Sequence, residues 1–266
     1  MKIACTDCGK LKKGDKAWID EVLELGFSYM EIAVSNLPDD ESLQDDILSY
    51  AVSRGLTLSL HAPYGVNNIS SSDLDRRASS IANLKHSIDL SARHGLGTVT
   101  FHPGRLTTKE EDPNEHWETL MAIVTDIAQY AKEKKVRVGI ENMELRPYEL
   151  VFTVDDLNRF AHLTENNPYF GATIDFAHYS SHKIGLPNLD ELKLPLYNVH
   201  LSQNSAAGKM HHSLLCENGL VDLPEVCRSL ENYGYDKLVV LEVGGILLES
   251  KQVIDSVLNE LGIKTN

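Results

Sequence analysis

The sequence predicts one α/β domain over residues 1–266, a (β/α)8 TIM barrel, and three observations carry that expectation. Eight short apolar runs of strand character alternate with eight amphipathic stretches along the chain. No Pro/Ser-rich linker, tandem repeat or low-complexity segment interrupts the alternation. The rival, a doubly wound open sheet, would usually begin with a glycine-rich first turn. Here the first strand runs into Thr6-Asp7-Cys8-Gly9-Lys10, with no such turn.

The first expected strand, Lys2–Thr6, carries Ile3-Ala4-Cys5, and the amphipathic stretch Lys16–Leu25 behind it ends at Gly26, where a left-handed cap is expected. Tyr29–Val34 and Leu43–Arg54 form the second unit, closed by Gly55, and Leu56–His61 with Ser72–His94 the third, closed by Gly95. The fourth pairs Thr98–His102 with Glu115–Lys134, whose basic end leads into the fifth strand, Arg137–Glu141. That strand stops on a carboxylate followed by Asn142. An unpaired charge inside a strand costs on the order of several kcal/mol of desolvation, so Glu141 belongs at a sheet rim. Val154–Leu163 follows, with Thr153 as N-cap and Asp155 and Asp156 in the first turn. Gly171–Asp175 with the short Leu189–Leu192, Tyr197–Leu201 with Leu223–Tyr233, and Lys237–Val243 with Leu247–Leu261 complete the eight, and Gly262 closes the last helix.

The longest apolar runs are too short to span a bilayer, and no charged-then-apolar signal segment opens the chain, so a cytoplasmic, soluble protein without a membrane partner is expected. A formal charge of −14 disfavours nonspecific binding to nucleic acid. Four cysteines are too few for a disulfide scaffold. Cys5 and Cys8 form a lone C-x-x-C for which Cys216 and Cys227 are wrongly spaced as a second zinc half-site, and Cys5 reads as a small core residue.

From the third strand onward, the last polar residue of each expected strand can bind a proton or a metal. They are His61, His102, Glu141, Asp175, His200 and Glu242. In a barrel these positions share the carboxy-terminal face, where this fold carries its active sites. Each alone has an ordinary structural explanation, but six in succession do not. Three imidazoles and three carboxylates converging on one volume need a cation, and mixed His/Asp/Glu donors suit zinc, manganese or iron rather than calcium. His178 lies three residues past Asp175, and His211 and His212 lie in the long loop after strand seven, each a ligand, a substrate contact or a solvated loop histidine. Lys209 and Arg146 are the cations available for a substrate phosphate or carboxylate. His86, His94, His116 and His162 fall in or at the ends of helices and are assigned no chemistry.

At these residues the chain resembles the xylose-isomerase-like TIM-barrel superfamily, which holds sugar isomerases and epimerases and the endonuclease-IV-like enzymes of DNA repair. The motifs are His-Ala-Pro-Tyr at 61–64, His-Pro-Gly at 102–104, Glu-Asn at 141–142, Ile-Asp-Phe-Ala-His at 174–178, His-Leu at 200–201, His-His-Ser-Leu at 211–214 and Leu-Glu at 241–242. In the epimerase branch the resemblance implies one divalent ion on Glu141, Asp175, His200 and Glu242, with Glu141 and Glu242 removing and returning a proton through an enediolate and His178 orienting a substrate oxygen. The well-studied ketose epimerases carry an arginine where this chain has Ala206 and a glutamate where it has Pro147.

In the endonuclease branch the resemblance implies up to three zinc ions. His61, His102 and Glu141 would hold one, Glu141 would bridge to a second on Asp175, His200 and Glu242, and His178 and His211 would serve a third. Here Lys209 replaces a ligand aspartate, and Gly65 follows Tyr64 where the repair enzymes insert an apolar wedge. The expected activity is therefore isomerisation or epimerisation of a small sugar or sugar phosphate, with one or two divalent ions. A zinc-dependent phosphodiesterase acting on abasic-site DNA is the alternative, and a non-catalytic sugar- or metal-binding barrel the second.

Overall fold

The computed structural model describes residues 1–205 and 209–264. Eight parallel strands close into a barrel in chain order: β1 (Lys2–Thr6), β2 (Tyr29–Ala33), β3 (Thr57–His61), β4 (Val99–Phe101), β5 (Val138–Glu141), β6 (Phe170–Asp175), β7 (Leu196–Leu201) and β8 (Leu238–Leu241). β8 returns to pair with β1, so no edge is left open. The helices outside are α1 (Ala17–Glu24), α2 (Glu41–Ser53), α3 (Leu74–His94), α4 (Pro113–Lys134), α5 (Val154–Asn158), α6 (Phe176–Ser180), α7 (Leu223–Asn232) and α8 (Leu247–Leu261). Among the described residues no helix is long and apolar enough to cross a membrane.

The alternation read from the sequence is the alternation observed, with three corrections in the sixth and fifth units. α6 follows β6 without a loop, because the Asp175 carboxylate accepts the His178 backbone N–H at 2.7 Å and so caps it. All five α6 residues are buried, which erases the amphipathic pattern that would have announced a helix. The expected Leu189–Leu192 helix is a 3-10 turn, Leu189–Glu191. The stretch Val154–Leu163 breaks after α5 and resumes as a 3-10 turn, Ala161–Thr164.

Aspartates cap four of the longer helices: Asp40 for α2, Asp73 for α3, Asp112 for α4 and Asp222 for α7 accept first-turn N–H groups. Part of the chain's acidity is therefore spent on helix starts, which in this fold lie on the same face as the strand ends.

The interior of the barrel departs from the branched apolar filling usual for the fold. Ser59 Oγ and Asn198 Nδ2 donate to Glu31, Asn198 Nδ2 also donates to Thr100 Oγ1, and Thr100 bonds Thr173, all buried. A polar belt from β2, β3, β4, β6 and β7 thus underlies the strand ends. At the start of β6 close approach requires glycine: a Cβ at Gly171 would run into the Pro195 carbonyl oxygen and lie 2.7 Å from the Tyr197 ring. Gly171→Ala is expected to destabilise the protein by about 2 kcal/mol, a fall of roughly 4–8 °C in melting temperature. An unchanged circular-dichroism melt would contradict that packing.

Candidate metal centre and active site

Three strands and the residue after a fourth bring the principal cluster together. Glu141 ends β5, Asp175 ends β6, His200 is the penultimate residue of β7, and Glu242 directly follows β8. One donor atom of each lies within 4.8 Å of the others. His200 Nδ1 stands 3.0 Å from Glu141 Oε1 and 3.4 Å from Glu242 Oε2. Asn142 holds the first two carboxylates in step: its Oδ1 accepts the Asp175 N–H at 2.9 Å and its Nδ2 donates to the Asp175 carbonyl at 3.1 Å. The side-chain amide thereby extends the β5–β6 ladder by one rung beyond the strand end.

Three adjoining groups share these residues: His61, His102 and Glu141; His61, His200 and Glu242; and Asp175, His178 and His211. The Nε2 atoms of His102 and His61 lie 3.2 and 3.4 Å from Glu141 Oε2. His61 Nδ1 faces the Ala62 carbonyl at 2.7 Å and His178 Nδ1 the Asn142 carbonyl at 2.9 Å. A carbonyl only accepts, so both Nδ1 atoms carry protons, and in the neutral rings both Nε2 atoms present lone pairs to the cluster. All six strand-end residues, with His178 and His211, are therefore neighbours.

The cluster is electrostatically incomplete. Glu141 Oε2, Asp175 Oδ2 and Glu242 Oε2 are buried oxygens without hydrogen-bond partners, a condition costly for carboxylates. Burial and the neighbouring carboxylates push Asp175 up to about 6. Burial opposes charge on Glu141, yet His200 and the His102, His200 and His61 contacts hold it well below the usual carboxylate range. Burial also opposes charge on the imidazoles, but Asp175, Glu141 and Glu144 raise His178 to about 9, and Glu31, Glu141 and Glu242 hold His200 well above its ordinary value. His178 and His200 thus bring positive charge toward these oxygens, while burial lowers His102. A first-row divalent cation fits the same donor set of imidazole nitrogens and carboxylate oxygens. Among the described residues no cysteine joins it; Cys5 is in the core, as its sequence context implied.

Above the cluster opens a cavity of about 490 Å³, a size suited to a small molecule. Tyr64 forms part of its wall, its ring stacked on His102 at a centroid distance of 5.6 Å. Arg146 reaches the cavity, with its Nε 2.7 Å from Glu144 Oε1. Lys209 is exposed and does not line the cavity, so the structure does not bring it to the cluster. Ala206 lies outside the described residues.

Several cavity residues escape a reading of strand ends. Glu31 sits inside β2, one layer deeper, and its signal is a lone charge within Tyr-Met-Glu-Ile-Ala. Asp7 ties the first loop down by accepting the N–H groups of Gly9 and Ala33. Glu144 and Glu149 come from the loop after β5 and carry no spacing signal. Burial, reinforced by Glu144 and opposed by Arg105, raises Glu149 to about 7. Because its folded pKa exceeds the unfolded value, the folded chain holds this proton more tightly, and stability falls as pH rises from the ordinary glutamate range through 7. Glu149→Gln should change little near pH 5 and add about 2 kcal/mol near pH 8, allowing for partial exposure. Urea midpoints at the two pH values measure this, and equal effects at both would contradict it.

The sequence model of the xylose isomerase-like TIM barrel family matches residues 19–258, and the chain belongs to that family. The D-psicose 3-epimerase of Ruminiclostridium cellulolyticum is 26% identical over 248 residues, covering 85% of this chain and 77% of the relative. A D-tagatose 3-epimerase-like protein superposes with a TM-score of 0.83 at 19% identity, covering 98% of both chains. The IOLI protein, solved with a bound zinc atom, superposes at 0.74 with 18% identity, again covering 98% of both.

Proposed function

We propose that this member of the xylose isomerase-like TIM barrel family is a divalent-metal-dependent epimerase or isomerase of an uncharged sugar, working through an enediolate. The observation that carries the reading is the cluster of Glu141, Asp175, His200 and Glu242, with three unpartnered carboxylate oxygens, beneath a cavity of small-molecule size. Similarity to a D-psicose 3-epimerase supports the choice of a sugar, and the zinc in the IOLI protein supports a metal. Zinc or manganese is the ion we propose, held by those four residues, with His61 and His102 beside Glu141 offering donors to a second.

When bound, the ion would serve as a Lewis acid toward the carbonyl and neighbouring hydroxyl oxygens of an α-hydroxy-carbonyl sugar, lowering the cost of charge as a proton leaves carbon. The chain's own residues move that proton. Glu141 comes from β5 and Glu242 from the end of β8, with β6 and β7 between them, so they reach a substrate from different sides. Burial opposes ionisation of Glu242, but His211 and His200 hold it well below the usual carboxylate range, so it stands ionised. Its side chain is 24% exposed, which leaves it open to the cavity. His178 and His211 also line the cavity and can hold substrate oxygens.

The cavity wall favours a sugar without a phosphate. Asp7, Glu144, Glu149 and Glu242 face it against two arginines, Arg105 and Arg146. Arg146 is held by Glu144, and Arg105 donates to the Gly65 carbonyl at 2.7 Å. Carboxylates accept hydrogen bonds from sugar hydroxyls and repel phosphate. The same acidity, with Gly65 after Tyr64, disfavours the phosphodiesterase alternative.

The test is exchange of a sugar α-proton with solvent deuterium, followed by NMR across a panel of free ketoses, aldoses and their phosphates. Exchange confined to unphosphorylated sugars is expected. No exchange with any of them, or efficient nicking of abasic-site DNA, would overturn the proposal.

A further inference from the structure

Glu31 lies in the middle of β2 between Met30 and Ile32 and is 2% exposed. A charge at that depth is tolerated only when its oxygens are satisfied. Oε2 accepts from Asn198 Nδ2 at 2.7 Å and from Ser59 Oγ at 3.1 Å, and Oε1 lies 2.9 Å from His200 Nε2. Glu31 pairs in register with Ser59, two residues below the level at which Ala33 pairs with His61, so it belongs to the belt beneath the strand ends.

The contact with His200 has a direction. A carboxylate only accepts, so in the ion-free chain both ring nitrogens donate, Nε2 to Glu31 and Nδ1 to Glu141 Oε1 at 3.0 Å, with Glu242 Oε2 3.4 Å from Nδ1. A divalent ion on Glu141 and Glu242 would take the place of the Nδ1 proton, and the Nε2–H to Glu31 would remain. A ring turned over would present carbon to Glu31 and leave a buried carboxylate oxygen without its donor, a penalty of about 1–3 kcal/mol. Ser59 and Asn198 prevent Glu31 from following the ring.

We propose that Glu31 is the positioning residue of the divalent-ion site, acting through His200: it fixes the Nε2–H form of the ring, so that Nδ1 offers its lone pair alongside Glu141, Asp175 and Glu242. This rests on the reading of those four residues as ion ligands. It assigns β2 a part in a site whose proposed ligands come from β5 to β8, and it gives a use to a buried charge that the proton-transfer chemistry leaves idle. A carboxylate behind a ligating imidazole orients the ring and raises its basicity, and losing such a partner weakens metal affinity by about 10–100-fold.

The experiment compares zinc binding by the full chain and by Glu31→Gln, using chelator competition, with melting of the ion-free proteins as the control for folding. The variant is expected to bind zinc about 10–100-fold more weakly. Affinity within about twofold of wild type, even alongside a lowered melting temperature, would reduce Glu31 to a structural role and overturn the proposal. Should the variant not fold, the nitrogen-15 spectrum of histidine-labelled, zinc-loaded wild type decides alone. A proton on His200 Nε2 supports the assignment, and a proton on Nδ1 overturns it. Zinc binding that weakens in the variant, in a protein that exchanges no sugar proton, would remove the epimerase reading and leave this one standing. A wild-type chain that binds no divalent ion would remove the ligand assignment and this proposal together.

Discussion

Glu242→Gln, assayed at saturating zinc or manganese, is expected to lower sugar proton exchange by about 10³-fold, equivalent to about 4 kcal/mol of transition-state stabilisation, with KM changed little. The substitution preserves shape and removes the charge, so the side chain can no longer take a proton from carbon. It also removes one anionic donor from the proposed ion site, so the measurement is made against metal concentration. Exchange that returns to wild-type rate at high metal would show that Glu242 only holds the ion. Glu141→Gln should behave alike, because the two carboxylates serve opposite directions of one reversible transfer. A variant that loses exchange with one epimer only would support that division directly.

The parts of this molecule legible in its sequence are those set by local chemistry. β1 and α8 lie where the pattern placed them, and the other strands lie within a few residues of their expected bounds, because the apolar period is imposed by burial against the helices. The six strand-end residues could be read because a barrel sends successive strand ends to one face, so chain order alone predicts their company. Glu31 escaped because it lies one layer below that rim, and depth within a strand has no sequence signal beyond an isolated charge. Glu144 and Glu149 escaped for a different reason. Their place beside the cavity depends on how the loop after β5 folds back, where Tyr148 takes a φ of +81° and Arg105 pairs with Glu149 across a single bridge. Lys209 went the other way: it was available as a cation for a substrate phosphate or carboxylate, yet its side chain stands in solvent. α6 was hidden by complete burial, which removes the contrast on which helix patterns depend.

Stripping the ion should cost stability as well as activity, and this is the prediction that most directly tests the electrostatic reading of the cluster. Dialysis against a strong chelator is expected to abolish proton exchange and lower the melting temperature by about 10 °C, and one equivalent of zinc or manganese should restore both. The size follows from mass action: an ion present at about 1,000 times its dissociation constant stabilises the folded chain by about 4 kcal/mol, and a chain of this length shifts by roughly 2–4 °C per kcal/mol. The source lies in Glu141 Oε2, Asp175 Oδ2 and Glu242 Oε2, buried oxygens that the protein leaves unpartnered. Without the ion, protonation has to supply the missing charge. Burial raises Asp175 to about 6, so the ion-free fold binds its proton more tightly than the unfolded chain, and ionising it costs stability as pH rises from the ordinary aspartate range through 6. The gap between ion-loaded and ion-free melting temperatures should therefore widen from pH 5 to pH 7.5. Proton competition for the ligands at low pH works in the same direction. A melting temperature indifferent to chelator at both pH values would mean that the four side chains satisfy one another without a cation, and the proposed chemistry would have no electrostatic foundation.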